Sequence, residues 1–204
     1  MPLFVESGYE MTTAARPGRQ ALVLLDFQRD FLADDGRMPV ARHHVAPVLA
    51  AARCAVEQAR LRGDLIIRVG NEFRREDIVG NLLRRRAAVS GSAGTAWDER
   101  IDVDDALYVP KSAGSAFTNP ALGAALDARG ITHLQIAGLF AKGCVRATAR
   151  AALRRGLTVE VLGDAVACSS DRSRDRALRL LRDRGARVTA TSHAAVDGRS
   201  PQGR

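Results

Sequence analysis

Asp26, Lys111 and Cys144 are of types, and in settings, suited to covalent chemistry on a small molecule. Cys144 comes just after an apolar run that ends in Gly138 and just before an Ala- and Arg-rich stretch of helical character. That order puts the thiol at the first turn of a helix, where unpaired N–H groups and the positive dipole end favour a thiolate. The same N–H groups can hold an oxyanion beside the sulfur. A free cysteine otherwise packs as a small hydrophobe. Position favours function here, because ligand sites of open α/β sheets lie at the carboxyl ends of strands. Asp26 closes an apolar run at residues 21–25, and a carboxylate so near a core is paired, functional or a loop cap. Lys111 and Lys142 are the only lysines among 31 basic residues. Where charge alone was needed the chain has arginine, so Lys111 reads either as a residual lysine or as a compact ammonium required at that point.

The elements that must position these groups follow from the hydrophobic pattern. Continuous apolar runs at 21–26, 65–69, 106–109, 132–137, 157–162 and 186–189 read as buried strands, the third ended by Pro110. Helical stretches fall at 44–62, ending at Gly63, near 77–86, at 120–129 with Asn119 as N-cap and proline first, at 144–155 and at 172–184. Strands alternating with helices predict a three-layer α/β/α sandwich, a Rossmann-like doubly wound six-stranded sheet that is mainly parallel. Asp26, Lys111 and Cys144 then project from strand ends to one sheet edge. Residues 1–18 read as an N-terminal arm, 19–192 as one domain and 193–204 as a flexible tail. The polar, Arg-rich stretch 70–104 reads as a loop over the sheet edge.

Composition narrows the function. The chain has 204 residues, 46% hydrophobic and 26% charged, enough for one globular α/β domain. No run approaches a membrane span, and the N-terminus lacks a secretory layout. Cys54, Cys144 and Cys168 have no metal spacing and leave one unpaired in any disulfide scheme, which suits a reducing cytoplasm. The net charge of +8 comes from dispersed arginines, and aromatics are 4%, so no nucleic-acid platform is expected. A basic α/β binding protein, holding a nucleotide or acting as a basic adaptor, is the non-enzymatic alternative. It lacks a phosphate loop, since Gly138 and Gly143 are not followed by Lys-Ser or Lys-Thr.

Three segments in register carry a resemblance: Leu24, Leu25, Asp26, Phe27, Gln28, Arg29, Asp30 and Phe31; Val-Pro-Lys-Ser-Ala-Gly-Ser-Ala-Phe at 109–117; and Gly-Leu-Phe-Ala-Lys-Gly-Cys-Val-Arg-Ala-Thr at 138–148. Their order and spacing over about residues 20–190 resemble the isochorismatase-like cysteine hydrolases, the family of nicotinamidases and N-carbamoylsarcosine amidases. The resemblance implies a triad: Asp26 as general base, Lys111 holding Asp26 ionised and lowering the thiol pKa, and Cys144 as nucleophile forming a thioester. It also implies a cis peptide at Leu139 and Phe140 that aims the Phe140 N–H, with that of Cys144, at the oxyanion. A homodimer or higher homo-oligomer is implied as well.

The chain departs from the family at Phe140, where a small residue is common, and at Ala141 and Lys142, where Thr-Asp is common. Metal-binding members carry Asp and His after the second strand; residues 69–74 here hold no histidine, so no metal and no cofactor is expected. His43 and His44 flank a helix start, and His133 is a strand residue. From position alone, Phe31, Trp97 and Phe117 are candidate apolar pocket walls, and Arg68, Asn71 and Glu72 candidate readers of polar substrate groups. Core packing and loop hydrogen bonding are their alternatives. Cys54 and Cys168 read as structural. The leading expectation is hydrolysis of a C–N bond in a small amide or carbamoyl compound. The alternatives are vinyl-ether hydrolysis with Asp26 as acid, or acyl transfer or ring formation in specialised metabolism.

Overall fold

The computed structural model of the protein describes residues 19–191, so the expected arm (1–18) and tail (193–204) lie outside the described residues. Its elements in chain order are β1 (Arg19–Leu25), α1 (Arg29–Leu32), α2 (Arg42–Arg62), β2 (Leu65–Asn71), α3 (Ile78–Leu83), β3 (Leu107–Lys111), α4 (Pro120–Ala128), β4 (Ile131–Leu139), α5 (Arg146–Arg154), β5 (Thr158–Ala167), α6 (Asp171–Arg182) and β6 (Arg187–Thr189). One six-stranded sheet has the order β3-β2-β1-β4-β5-β6, with every neighbouring pair parallel. The three-layer α/β/α architecture expected from the pattern is the one observed.

Residues 21–25 of β1 are fully buried, which their uninterrupted apolar run dictates for a central strand covered on both faces. Ala21, Val23 and Leu25 face a core closed by Leu122, Leu126, Val145, Ala149, Leu178 and Leu181 from the α4, α5 and α6 side. Leu22 and Leu24 face the other core, closed by Val48, Leu49, Ala52, Val56 and Ala59 of α2. Gly63, at φ +70°, ends α2 and donates its N–H to the carbonyls of Ala59 and Arg60, a left-handed cap that glycine adopts without cost.

The structure corrects several sequence boundaries, β2 reaching Asn71 rather than ending at Val69 among them. Pro110 lies inside β3 rather than ending it; β3 is the outermost strand, where a missing N–H can face away from the ladder. β5 continues to Ala167, past the polar Asp164. The α5 helix begins at Arg146, because residues Ala141–Val145 form a wider turn interrupted by Gly143 at φ −106°, ψ −106°. The loop segment after β2 is pinned through Asp30, a buried carboxylate that accepts from the Ala88 N–H at 2.7 Å and the Arg37 N–H at 3.3 Å. Gly94 packs so closely on it that a Cβ would lie 1.8 Å from Asp30 Oδ2.

Candidate active site

The sheet order reverses between β1 and β4, and such switch points are where open α/β sheets hold ligands. Asp26 leaves β1 at φ +62° with its N–H on the Val69 carbonyl at 2.8 Å. Aspartate tolerates this left-handed conformation better than most residues. Cys144 sits in the turn after β4, and the Leu139–Phe140 peptide bond at its head is cis. Gly138, at φ +146°, has no room for a side chain, since a Cβ would come 2.4 Å from the Leu25 carbonyl oxygen. This lets β4 lie against β1 where the two reactive groups emerge. Lys111 arrives from the end of β3, two strands out from β1, and crosses the gap over β2 with its long stem.

The gap is bridged by Asn71, the last residue of β2 and the ladder partner of Lys111. Lys111 Nζ donates to Asp26 Oδ2 at 3.0 Å, to Asn71 Oδ1 at 2.5 Å and to Cys144 Sγ at 3.3 Å. Three donors on an ammonium meet three acceptors, which the planar fork of arginine would not match. Asn71 Nδ2 also points to Sγ, at 3.9 Å. Gln28 fixes Asn71 in turn: its carbonyl accepts the Asn71 N–H at 2.8 Å and its amide donates to the Asn71 and Thr95 carbonyls at 2.9 Å. The buried Gln28 carboxamide thus stands in for a further peptide unit beyond β1. Thr148 ties the turn after Lys111 to α5 by accepting the Ala116 N–H at 3.0 Å.

Burial dominates the electrostatics. Desolvation raises the Asp26 carboxyl above its ordinary value, opposed by the Lys111 charge. Desolvation works against the Lys111 ammonium, but the Asp26 charge and the hydrogen bonds to Asp26 and Cys144 hold its pKa above the usual lysine value. Lys111 therefore stays charged, and Asp26 is a stronger base than a free carboxylate. Burial, reinforced by the Asp26 charge, pushes the Cys144 thiol up to about 12 despite Lys111. This corrects the expectation of a resting thiolate. The sulfur lies ahead of α5, and the carboxylate beside it cancels the ammonium. Asp26 Oδ1, also 3.0 Å from Nζ, is buried and has no hydrogen-bond partner among the described residues, which leaves a lone pair free.

The other candidates divide. Phe31 is buried and meets Phe140 edge-on at 5.5 Å, and Phe140 touches both cores. Glu72 is bound by the hydroxyls of Tyr108 at 2.6 Å and Ser90 at 3.2 Å. Arg68 lies mid-strand beside Tyr108 and Asp104, not at the strand end. Trp97 leans on Phe27 and donates to the Ile101 carbonyl, while Phe117 carries Arg155 over its ring. Gln28, Asp30 and Thr148 fall within the motifs, yet spacing alone gave them no role. A broad depression lined by Arg19, Arg62, Leu65, Leu107 and Ile131 lies at the opposite sheet edge and contains none of these groups.

Residues 20–193 match the family described as the isochorismatase domain. The chain belongs to the isochorismatase family. Among curated relatives, a streptothricin hydrolase of Streptomyces noursei is 31% identical over 149 residues, covering 72% of this chain and 49% of that protein. The chain thus spans about half the length of that relative. The ureidoacrylate amidohydrolase of Cronobacter turicensis is 28% identical, with 72% of each chain covered. Among solved structures, the N-carbamoylsarcosine amidase of Thermoplasma acidophilum has a TM-score of 0.73 at 27% identity, over 87% of this chain and 99% of that one. An isochorismatase-like hydrolase of Alkaliphilus metalliredigens, at 22% identity and TM-score 0.78 over 85% and 96%, shares the fold.

The residues at the end of β2, where the resemblance puts the metal of metal-binding members, do not fit one. Asn71 Oδ1 is taken up by Lys111, and both Glu72 oxygens accept hydroxyls. Elsewhere, the structure brings His43 and His44, in the first turn of α2, to Asp171. His133 is in β4, 3.8 Å from Glu160. Cys168 is buried in the core and Cys54 is half-buried on α2.

Proposed function

We propose that this protein hydrolyses a C–N bond in a small amide or carbamoyl compound through a Cys144 thioester. One observation carries the reading: a buried ammonium lies within 3.3 Å of both a carboxylate and a thiol. Cys144 Sγ attacks the carbonyl carbon as its proton passes to Asp26, and the free lone pair of Oδ1 suits that transfer. Lys111 stabilises the anion on Asp26 beforehand and on sulfur during attack. We assign the oxyanion site to the N–H groups of Phe140 and Cys144. Collapse breaks the C–N bond, and the amine leaves with the proton from Asp26. Asp26 then deprotonates the water that cleaves the thioester, releasing the acid and restoring the thiol. The names of the relatives, two of them amide hydrolases, support this class.

A second reading, vinyl-ether hydrolysis with Asp26 as the acid, is favoured by the upward shift of that carboxyl. A panel of small amides, ureas and vinyl ethers, scored for ammonia, acid and pyruvate release, separates the two. Amide turnover lost in Cys144→Ala supports the first; vinyl-ether turnover retained in that variant supports the second. Phe140, backed by the buried Phe31, supplies an apolar wall for the substrate.

We also infer that the protein assembles with a second copy of itself. Ile78, Val79, Leu82 and Leu83 stand exposed together on α3, a patch that calls for cover. Light scattering on Leu82→Asp tests this, with a fall in mass expected.

A further inference from the structure

We propose that His43, His44 and Asp171 form a binding site for a divalent transition metal of the zinc type, separate from the cysteine centre. The first two lie in the opening turn of α2 and the third is the first residue of α6. His43 Nε2 is 3.0 Å from Asp171 Oδ1, and His44 Nε2 is 2.5 Å from the same oxygen. All three ligand atoms lie within 4.8 Å of one another. Tetrahedral zinc with bonds of about 2.0–2.1 Å separates its ligand atoms by about 3.3 Å, so small side-chain rotations suffice. The two imidazoles, centroids 4.4 Å apart and inclined at 61°, converge on that oxygen from different directions.

The hydrogen bonding of His44 supplies the second argument. Its Nδ1 lies 3.1 Å from the Cys168 carbonyl oxygen, with the Cys168 N–H further off at 3.5 Å. A carbonyl only accepts and a peptide N–H only donates, so Nδ1 can bond to either. In the tautomer that donates Nδ1–H to the nearer carbonyl, Nε2 turns its lone pair to the Asp171 oxygen, an arrangement that a cation between them satisfies. One proton can bridge a single nitrogen to that oxygen; a metal ion satisfies both nitrogens and the oxygen together. An imidazole whose second nitrogen is held by a backbone carbonyl is also the usual arrangement around bound zinc.

The chemistry selects the metal. Two imidazoles and one carboxylate suit zinc, cobalt, nickel or copper rather than calcium or magnesium, which take mainly oxygen ligands. His44 has only 11% of its side chain exposed, whereas His43 and Asp171 are open at 63% and 67%. The site therefore has a fixed inner ligand and a solvent side for water.

Occupancy would clip the start of α2 to the β5–α6 turn. The Cys168 carbonyl that holds His44 also accepts the Ala41 N–H at 3.0 Å. The preceding residue, Ala167, is the ladder partner of Leu139, next to the cis peptide. The metal site thus borders the strand register that carries Phe140.

The test is titration of the full-length protein, free of any histidine tag, with zinc chloride by calorimetry and with cobalt(II) by absorbance. One equivalent of zinc is expected, together with cobalt bands in the visible and no thiolate charge-transfer band in the near ultraviolet. His43→Ala and Asp171→Asn, both at exposed positions, are expected to weaken binding at least ~10-fold, while Cys144→Ala leaves it unchanged. Circular dichroism melts establish that each variant is folded. Absence of zinc binding, equal binding by His43→Ala and Asp171→Asn, or binding lost in Cys144→Ala with a thiolate band would overturn the proposal. None of these readouts depends on hydrolase activity.

Discussion

Replacing Asp26 by Asn is expected to make Cys144 more reactive towards an alkylating agent while abolishing hydrolysis. In the native site two charges act on the sulfur with opposite sign: Asp26 raises the thiol pKa and Lys111 lowers it. Asn keeps the shape and removes only the anion. Lys111 Nζ, 3.3 Å from Sγ, is then no longer offset by a carboxylate. At an effective dielectric of about 20, unit charges at that separation attract by about 5 kcal/mol. Halving this for relaxation and water entry leaves about 2.5 kcal/mol, or roughly 70-fold more thiolate at a given pH. The assay is iodoacetamide labelling followed by peptide mass spectrometry, which reads Cys144 apart from Cys54 and Cys168. In the wild type the Cys144 rate should climb tenfold per pH unit with no plateau near the ordinary thiol value of about 8.5, because its pKa is about 12. In Asp26→Asn the curve should move to lower pH, while turnover falls by at least ~10² through loss of the base. A folded Asp26→Asn protein whose Cys144 labels no faster than the wild type would refute this electrostatic account.

Further outcomes follow from the same geometry. Asn71→Leu removes one of the three acceptors of Lys111 and should lower kcat ~10–100-fold with little change in KM, the charge-assisted hydrogen bond being worth about 1.5–3 kcal/mol; steady-state kinetics on the best amide checks it. Lys111→Arg keeps the charge but overfills a buried socket made for three separate donors, so activity should be lost and the melting temperature lowered, by about 2–4 °C per kcal/mol of strain. Gly138→Ala places a methyl 2.4 Å from the Leu25 carbonyl oxygen, at a φ that alanine avoids, and should cost more than about 3 kcal/mol in a urea titration.

The parts legible in the sequence were those that a local pattern dictates. Buried apolar runs gave the strands, and Asp26, Lys111 and Cys144 stood out because each ends or follows one. Asn71 was visible only as a polar residue after a strand. Its grip on Lys111 depends on the β2–β3 register, which pairs those two residues and leaves no mark in either segment alone. Arg68 reads as a neighbour of the strand end in one dimension, yet it lies level with Leu24 and Tyr108 in the middle of the sheet. Pro110 reads locally as a stop, because the outer position of β3 leaves no mark in the segment itself. The ionisation of Cys144 is hidden from the sequence for a related reason: the helix dipole is a local signal, whereas burial and the Asp26 charge are supplied by the assembled sheet. Asp171, 128 residues from His43, could be joined to it only by the fold.

The central claim is that Cys144 forms a covalent acyl intermediate. Its most direct test is acid quenching of the full-length enzyme during turnover of the best amide, followed by intact and peptide mass spectrometry. The account requires a mass increase equal to the acyl fragment, located on Cys144, released by hydroxylamine and absent from Cys144→Ala. Amide turnover at the wild-type rate by Cys144→Ala, with no adduct in either protein, would contradict it.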